Sequence, residues 1–134
     1  MTLVDSNVLV DVLANDPKWL AWSTEALEAR SLHGALLVNE IVYAELAVKS
    51  RSKAELDSAL ADLGVEFKRM PQEALYLAGK VYGSYRSAGG MRPTLLPDFF
   101  IGAHAQIARL PLLTRDTRRY RAYFPSVKLI APDA

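Results

Sequence analysis

The chain has 134 residues, 51% hydrophobic and 23% charged, and 16 Lys and Arg against 15 Asp and Glu give a net charge of +1. That length suits one domain over residues 1–134, and that balance excludes a wholesale polybasic nucleic-acid binder. With no cysteine, disulfides, zinc–thiolate sites and a cysteine nucleophile are excluded.

No apolar run reaches the ~18 residues of a membrane span, and the N-terminus lacks a basic leader, so a cytoplasmic protein is expected. Leu3-Val4 reads as a buried strand ending at Asp5. Val8, Leu9, Val12 and Leu13 then fall on one helical face, which predicts a helix over Asn7–Ala14, stopped by Asn15-Asp16-Pro17. A second helix is expected over Lys18–Arg30, and the apolar run Ala35–Val38 reads as a second strand. Asn39 is a favoured N-cap for a helix to about Ser50. Ser52–Leu63 is a further helix, ended by Gly64. Val65–Met70 predicts a third strand and Pro71–Ala88 a long helix. Ser87–Pro93 reads as a flexible loop, and Asp98–Leu110 as a helix opened by Pro97-Asp98. Pro111–Thr114, Asp116–Phe124 and Val127–Ile130 follow as strand, Arg-rich helix and strand. Five short strands alternating with helices predict an α/β fold with a mainly parallel sheet.

In such sheets ligands bind beyond the carboxyl ends of the strands. Asp5 follows strand one, and Asp116 sits just after strand four. Asp98 opens the helix before strand four. Glu45 lies among Ile41, Val42, Ala44 and Leu46, so its helix face is partly buried, and a buried carboxylate wants a partner. Singly, Asp98 and Asp116 read first as helix caps, Asp5 as a turn residue and Glu45 as a solvated acid. Together they read as a converging cluster whose repulsion a cation relieves. Oxygen donors with no cysteine suit Mg²⁺ or Mn²⁺ rather than Zn²⁺. Glu40 and Asp11 rank below these four.

Four blocks in order resemble the PIN-domain signature, and most closely the VapC-type toxins of bacterial toxin–antitoxin systems. They are Leu3-Val4-Asp5-Ser6-Asn7-Val8-Leu9, Val42-Tyr43-Ala44-Glu45-Leu46, Leu96-Pro97-Asp98-Phe99-Phe100-Ile101-Gly102-Ala103-His104-Ala105 and Leu113-Thr114-Arg115-Asp116. The resemblance implies a three-layer sandwich around a parallel sheet and a metal-dependent endoribonuclease that leaves 5′-phosphate and 3′-hydroxyl ends. It maps the catalytic acids onto Asp5, Glu45, Asp98 and Asp116, with Asp5, Asp98 and Asp116 as metal ligands and Asn7 and Thr114 as supporting residues. It also implies an antitoxin partner and a homodimer.

On the substrate side, Arg109, Arg115, Arg118, Arg119 and Arg121 crowd around strand four and the helix after it. Arg115 and Arg92 are the expected RNA-binding residues; Arg118 and Arg121 read equally as a solvated face. Tyr82, Tyr85 and Tyr120 read first as core, and so do Trp19 and Trp22, although the resemblance places an antitoxin groove at the tryptophans. His104 reads as a core or surface histidine rather than a ligand. Two other classes compete. A catalytically silent PIN-like module would bind RNA or a partner without cutting, and a phosphatase would need the Asp-x-Asp that Asp5-Ser6-Asn7 lacks. Neither a P-loop nor a Gly-x-Ser-x-Gly elbow is present.

Overall fold

A computed structural model describes residues 1–132; the last two positions of the expected 1–134 span lie outside the described residues. Five strands form one sheet: β1 (Thr2–Val4), β2 (Leu36–Val38), β3 (Val65–Phe67), β4 (Leu112–Leu113) and β5 (Leu129–Ile130). Their order is β3-β2-β1-β4-β5 and every pairing is parallel. β1, β2 and β4 are buried along their whole length, which is why they read as continuous apolar runs instead of alternating ones.

Seven α-helices flank the sheet among the described residues: α1 (Ser6–Leu13), α2 (Leu20–Ser31), α3 (Glu40–Ala47), α4 (Lys53–Asp62), α5 (Gln72–Ser87), α6 (Leu96–Ala108) and α7 (Arg118–Tyr123). Three caps carry the local logic. Asp5 accepts from the Ser6 N–H at the start of α1, Asn39 from the Val42 N–H at the start of α3, and Ser52 from the Glu55 N–H at the start of α4. Gly64 takes a left-handed φ of 72° after α4, a conformation that only a residue without Cβ adopts at no cost.

The boundaries differ most around the acids. The segment read as a flexible loop runs into a 3₁₀ turn, Pro93–Leu95, that leads directly into α6 at Leu96. Asp98 is therefore inside the first turn of α6 and not its cap. α7 begins at Arg118 with Thr117 at the cap position, so Asp116 is not a cap either. Strand three stops at Phe67, although Lys68 still donates to the Val38 carbonyl at 2.8 Å.

The strand order fixes where chemistry can sit. The first crossovers carry the chain from β1 to β2 to β3. The next returns past β1 to place β4 on its other side. The switch point therefore falls between β1 and β4, whose registers align Val4 with Leu113. Beyond their ends stand Asp5 and Thr114.

Candidate active site at the switch point

Asp5 is 5% exposed and fully bonded. Its Oδ1 accepts from the Ser6 N–H at 2.8 Å. Its Oδ2 accepts from Thr114 Oγ1 and Tyr120 Oη, each at 2.9 Å, with Asn7 Nδ2 further out at 3.5 Å. Asn7 Nδ2 also donates to Thr114 Oγ1 at 3.3 Å, and Asn7 Oδ1 accepts from the Arg115 N–H at 3.2 Å. A carboxylate tied on both oxygens has one rotamer. Where the sequence offered a turn residue, Asp5 caps α1 with one oxygen while the other is held by Thr114 and Tyr120.

Glu45 lies on the face of α3 toward α1, half-buried, and its Oε1 accepts from Ser6 Oγ at 3.0 Å. That is the partner its apolar surroundings required. Asp98 and Asp116 share one guanidinium: Arg119 Nη1 lies 3.2 Å from Asp98 Oδ2 and 2.7 Å from Asp116 Oδ2. Asp116 is anchored by its own N–H, which donates to Thr114 Oγ1 at 3.1 Å.

The four acids act on one another electrostatically. Burial pushes the Asp98 carboxyl up to about 7, helped by the charges of Asp5, Glu45 and Asp116 and opposed by Arg119. Burial also raises Asp5, against the hydrogen bonds from Tyr120, Thr114 and Ser6, and Asp116 adds to the rise. Glu45 is raised by burial and, less, by Asp5. Tyr120 is pushed well above the ordinary phenol range by burial and then by the Asp5 and Asp98 charges, so it stays a proton donor. Crowded carboxylates of this kind call for positive charge.

Among the described residues no three His, Asp or Glu side chains already stand in metal-holding geometry. The donor set nevertheless suits a hard divalent cation: every donor is a carboxylate oxygen, and the mutual repulsion at Asp98 is what such an ion relieves.

Sequence reasoning missed Tyr120 and Ser6 as site residues. Tyr120 is 1% exposed and read as core, which it is; only its position four residues after Asp116 hinted that its hydroxyl returns to β1. Arg119 stands at the acids, whereas Arg115 does not. Arg115 forks onto Asp11, with Nε 2.5 Å from Oδ2 and Nη2 2.9 Å from Oδ1, and its guanidinium lies 4.8 Å from the centre of the Trp19 ring. Asp11, ranked low from sequence, is 1% exposed and also accepts from Ser23 Oγ at 2.7 Å. It is a structural anchor between α1, α2 and the segment after β4. The expected RNA-binding role of Arg115 thus meets a guanidinium already held in place. Arg92 is exposed and lines a cavity of about 370 Å³ with Arg118, Arg119, Asp116 and Tyr123.

Residues 2–125 match the family model described as PIN domain. The chain belongs to the PIN-domain family. No curated protein matches the sequence. Solved structures do resemble this PIN domain along nearly its whole length. One is VapBC2 from Rickettsia felis bound to a DNA fragment from its promoter, at a TM-score of 0.74 and 19% identity over 97% of each chain. Another is VapBC-1 from nontypeable Haemophilus influenzae, at 0.72 and 18% over 97% of this chain and 96% of that one. A third is a toxin–antitoxin complex from Klebsiella pneumoniae, at 0.69 and 23% over 98% of each. At these identities the likeness is one of fold, and it agrees with the parallel five-stranded sheet read from the sequence.

Proposed function

We propose that this PIN domain is a metal-dependent endoribonuclease and the toxin of a toxin–antitoxin pair. The observation that carries the reading is the acid cluster at the switch point, with the Asp98 carboxyl raised to about 7 by burial and by three neighbouring acids. A fold does not need such repulsion; a cation site does.

Asp5, Asp98 and Asp116 are the residues that would hold Mg²⁺ or Mn²⁺. Bound there, the ion supplies Lewis-acid activation of water and neutralises charge at the phosphodiester. Thr114, Asn7 and Tyr120 hold Asp5 in its rotamer. Glu45, steadied by Ser6 and raised by burial, would take a proton from the attacking water. Arg92 and Arg118 present positive charge to the backbone beside the acids, which gives affinity and salt dependence without sequence choice. The expected products carry 5′-phosphate and 3′-hydroxyl ends. An antitoxin partner is supported by the toxin–antitoxin and VapBC assemblies in which the similar chains are found. Homodimerisation and a cytoplasmic location belong to the same proposal.

The test is cleavage of mixed transfer and ribosomal RNA by the purified protein with Mg²⁺ or Mn²⁺. EDTA and the Asp98→Asn and Asp5→Asn variants are expected to abolish discrete fragments, with melting temperatures no lower than about wild type for Asp98→Asn. Cleavage that survives both EDTA and the variants sinks the assignment.

A further inference from the structure

We infer that Arg119 is a built-in counter-cation that occupies the Asp98–Asp116 half of the acid cluster and has to be displaced before a metal ion binds there. The inference rests on the ribonuclease reading for the identity of the displacing ion, but its evidence is local. One nitrogen, Nη1, contacts both Asp98 Oδ2 and Asp116 Oδ2. A divalent cation shared by those two oxygens and a guanidinium already between them are mutually exclusive, by charge and by space. The other half of the cluster has no such device. Among the described residues no ion pair reaches Asp5 or Glu45, whose partners are hydroxyls, an amide and backbone N–H. The protein therefore neutralises one half of its acids with its own charge and leaves the other half with neutral donors.

The contact is built to release. Arg119 is 28% exposed, Asp98 24% and Asp116 52%, so the pair is wet enough for its attraction to be modest. Arg119 also has somewhere to go. It lines the 370 Å³ cavity with Arg92 and Arg118. Freed from the carboxylates, it becomes a third positive group in that cavity, facing the side from which a phosphate backbone approaches. A single arginine thus alternates between two anions: the protein's own carboxylates without metal, and the substrate's phosphate with it. Arg115, one turn away in sequence, does not share this freedom, because its fork on Asp11 is two-pronged and Asp11 is buried.

The experiment is calorimetric titration of Mn²⁺ into metal-free wild type, Arg119→Ala, Arg119→Lys and Arg92→Ala at low salt. Arg119→Ala is expected to bind Mn²⁺ about five- to tenfold more tightly than wild type, the gain from removing one partly exposed competitor. Arg119→Lys should fall between them, since it keeps the charge without the shared Nη1 geometry. Arg92→Ala, which removes equal charge from the same cavity but touches neither acid, should stay within about twofold of wild type. A nitrogen-15 spectrum adds a direct readout: the Arg119 Nε–H signal should shift when Mg²⁺ is added. Equal or weaker metal binding by Arg119→Ala overturns the inference while leaving the metal site standing. Equal tightening by Arg92→Ala also overturns it, since the effect would then be general charge. Absence of metal binding in all four proteins takes the ribonuclease reading down with it.

Discussion

At the scale of single residues, the geometry of the acid cluster depends on groups that are not acids. Tyr120 donates to Asp5 from a helix 115 positions away in sequence. Replacing it by Phe keeps the ring in the core and removes one hydrogen bond. The expected loss of stability is about 1 kcal/mol. The expected loss of metal affinity is larger, about tenfold, because Asp5 then samples other rotamers. Calorimetry on Tyr120→Phe measures both; unchanged Mn²⁺ affinity would mean that Thr114, Asn7 and Ser6 hold Asp5 unaided. Residue types explain what was readable here. Asp5, Glu45, Asp98 and Asp116 were visible because acids next to apolar runs are conspicuous. Tyr120 was not, because a buried Tyr looks like packing until its hydroxyl is placed. The fork of Arg115 onto Asp11 was hidden for a related reason: adjacency to Asp116 in sequence says nothing about Asp11, and a strand end sends neighbouring side chains to opposite sides.

At the scale of elements, periodicity and capping signals located every helix and strand to within a few residues, because Asn39, Ser52 and Gly64 each do locally what their chemistry favours. The errors cluster at α6 and α7, where Asp98 and Asp116 looked like caps. There the acids face each other's charge and Arg119, and the helices start elsewhere. What holds these two helices together is close approach. A Cβ on Gly102 would run into the Phe124 ring, and Phe124 is only 2% exposed, with no room to retreat. Phe99 packs against both Tyr123 and Phe124, at centroid distances of 5.0 and 6.1 Å. Gly102→Ala should therefore push α7 off α6 and cost about 1–3 kcal/mol of stability, although alanine is the better helix former. Because α7 carries Tyr120, whose hydroxyl holds Asp5, the same change should weaken Mn²⁺ binding. A Gly102→Ala protein that melts at or above wild type would show that the two helices absorb a methyl group without moving.

At the scale of the whole molecule, the acid cluster is a strain that folding tolerates and that the proposed cation would remove. Asp98 has a folded-state pKa of about 7, above the ordinary carboxyl value. The folded chain thus retains a proton that the unfolded chain releases once the pH passes ~4. Stability from this group is full below that point and is lost as pH rises through about 7. Asp5 and Glu45 are shifted in the same direction. His104, buried and lowered by its burial, works oppositely: below its ordinary range the unfolded chain takes up a proton that the folded chain refuses. Wild type against Asp98→Asn cancels His104, since both carry it. Without metal, Asp98→Asn should be the more stable protein at pH 8 by about 1–3 kcal/mol, a shift of several degrees in melting temperature, and the difference should shrink toward pH 5 and vanish only near pH ~4. Adding Mg²⁺ at pH 8 should reverse the order, stabilising wild type by about 2.7 kcal/mol at a hundredfold excess over its dissociation constant and the variant much less. Scanning calorimetry at pH 5 and pH 8, with Mg²⁺ and with EDTA, reads all four states. If the metal-free pair melts together at pH 8, Asp98 carries no uncompensated charge and Arg119 neutralises it fully. If Mg²⁺ then stabilises neither protein, the acids at the switch point serve the fold and not a cation.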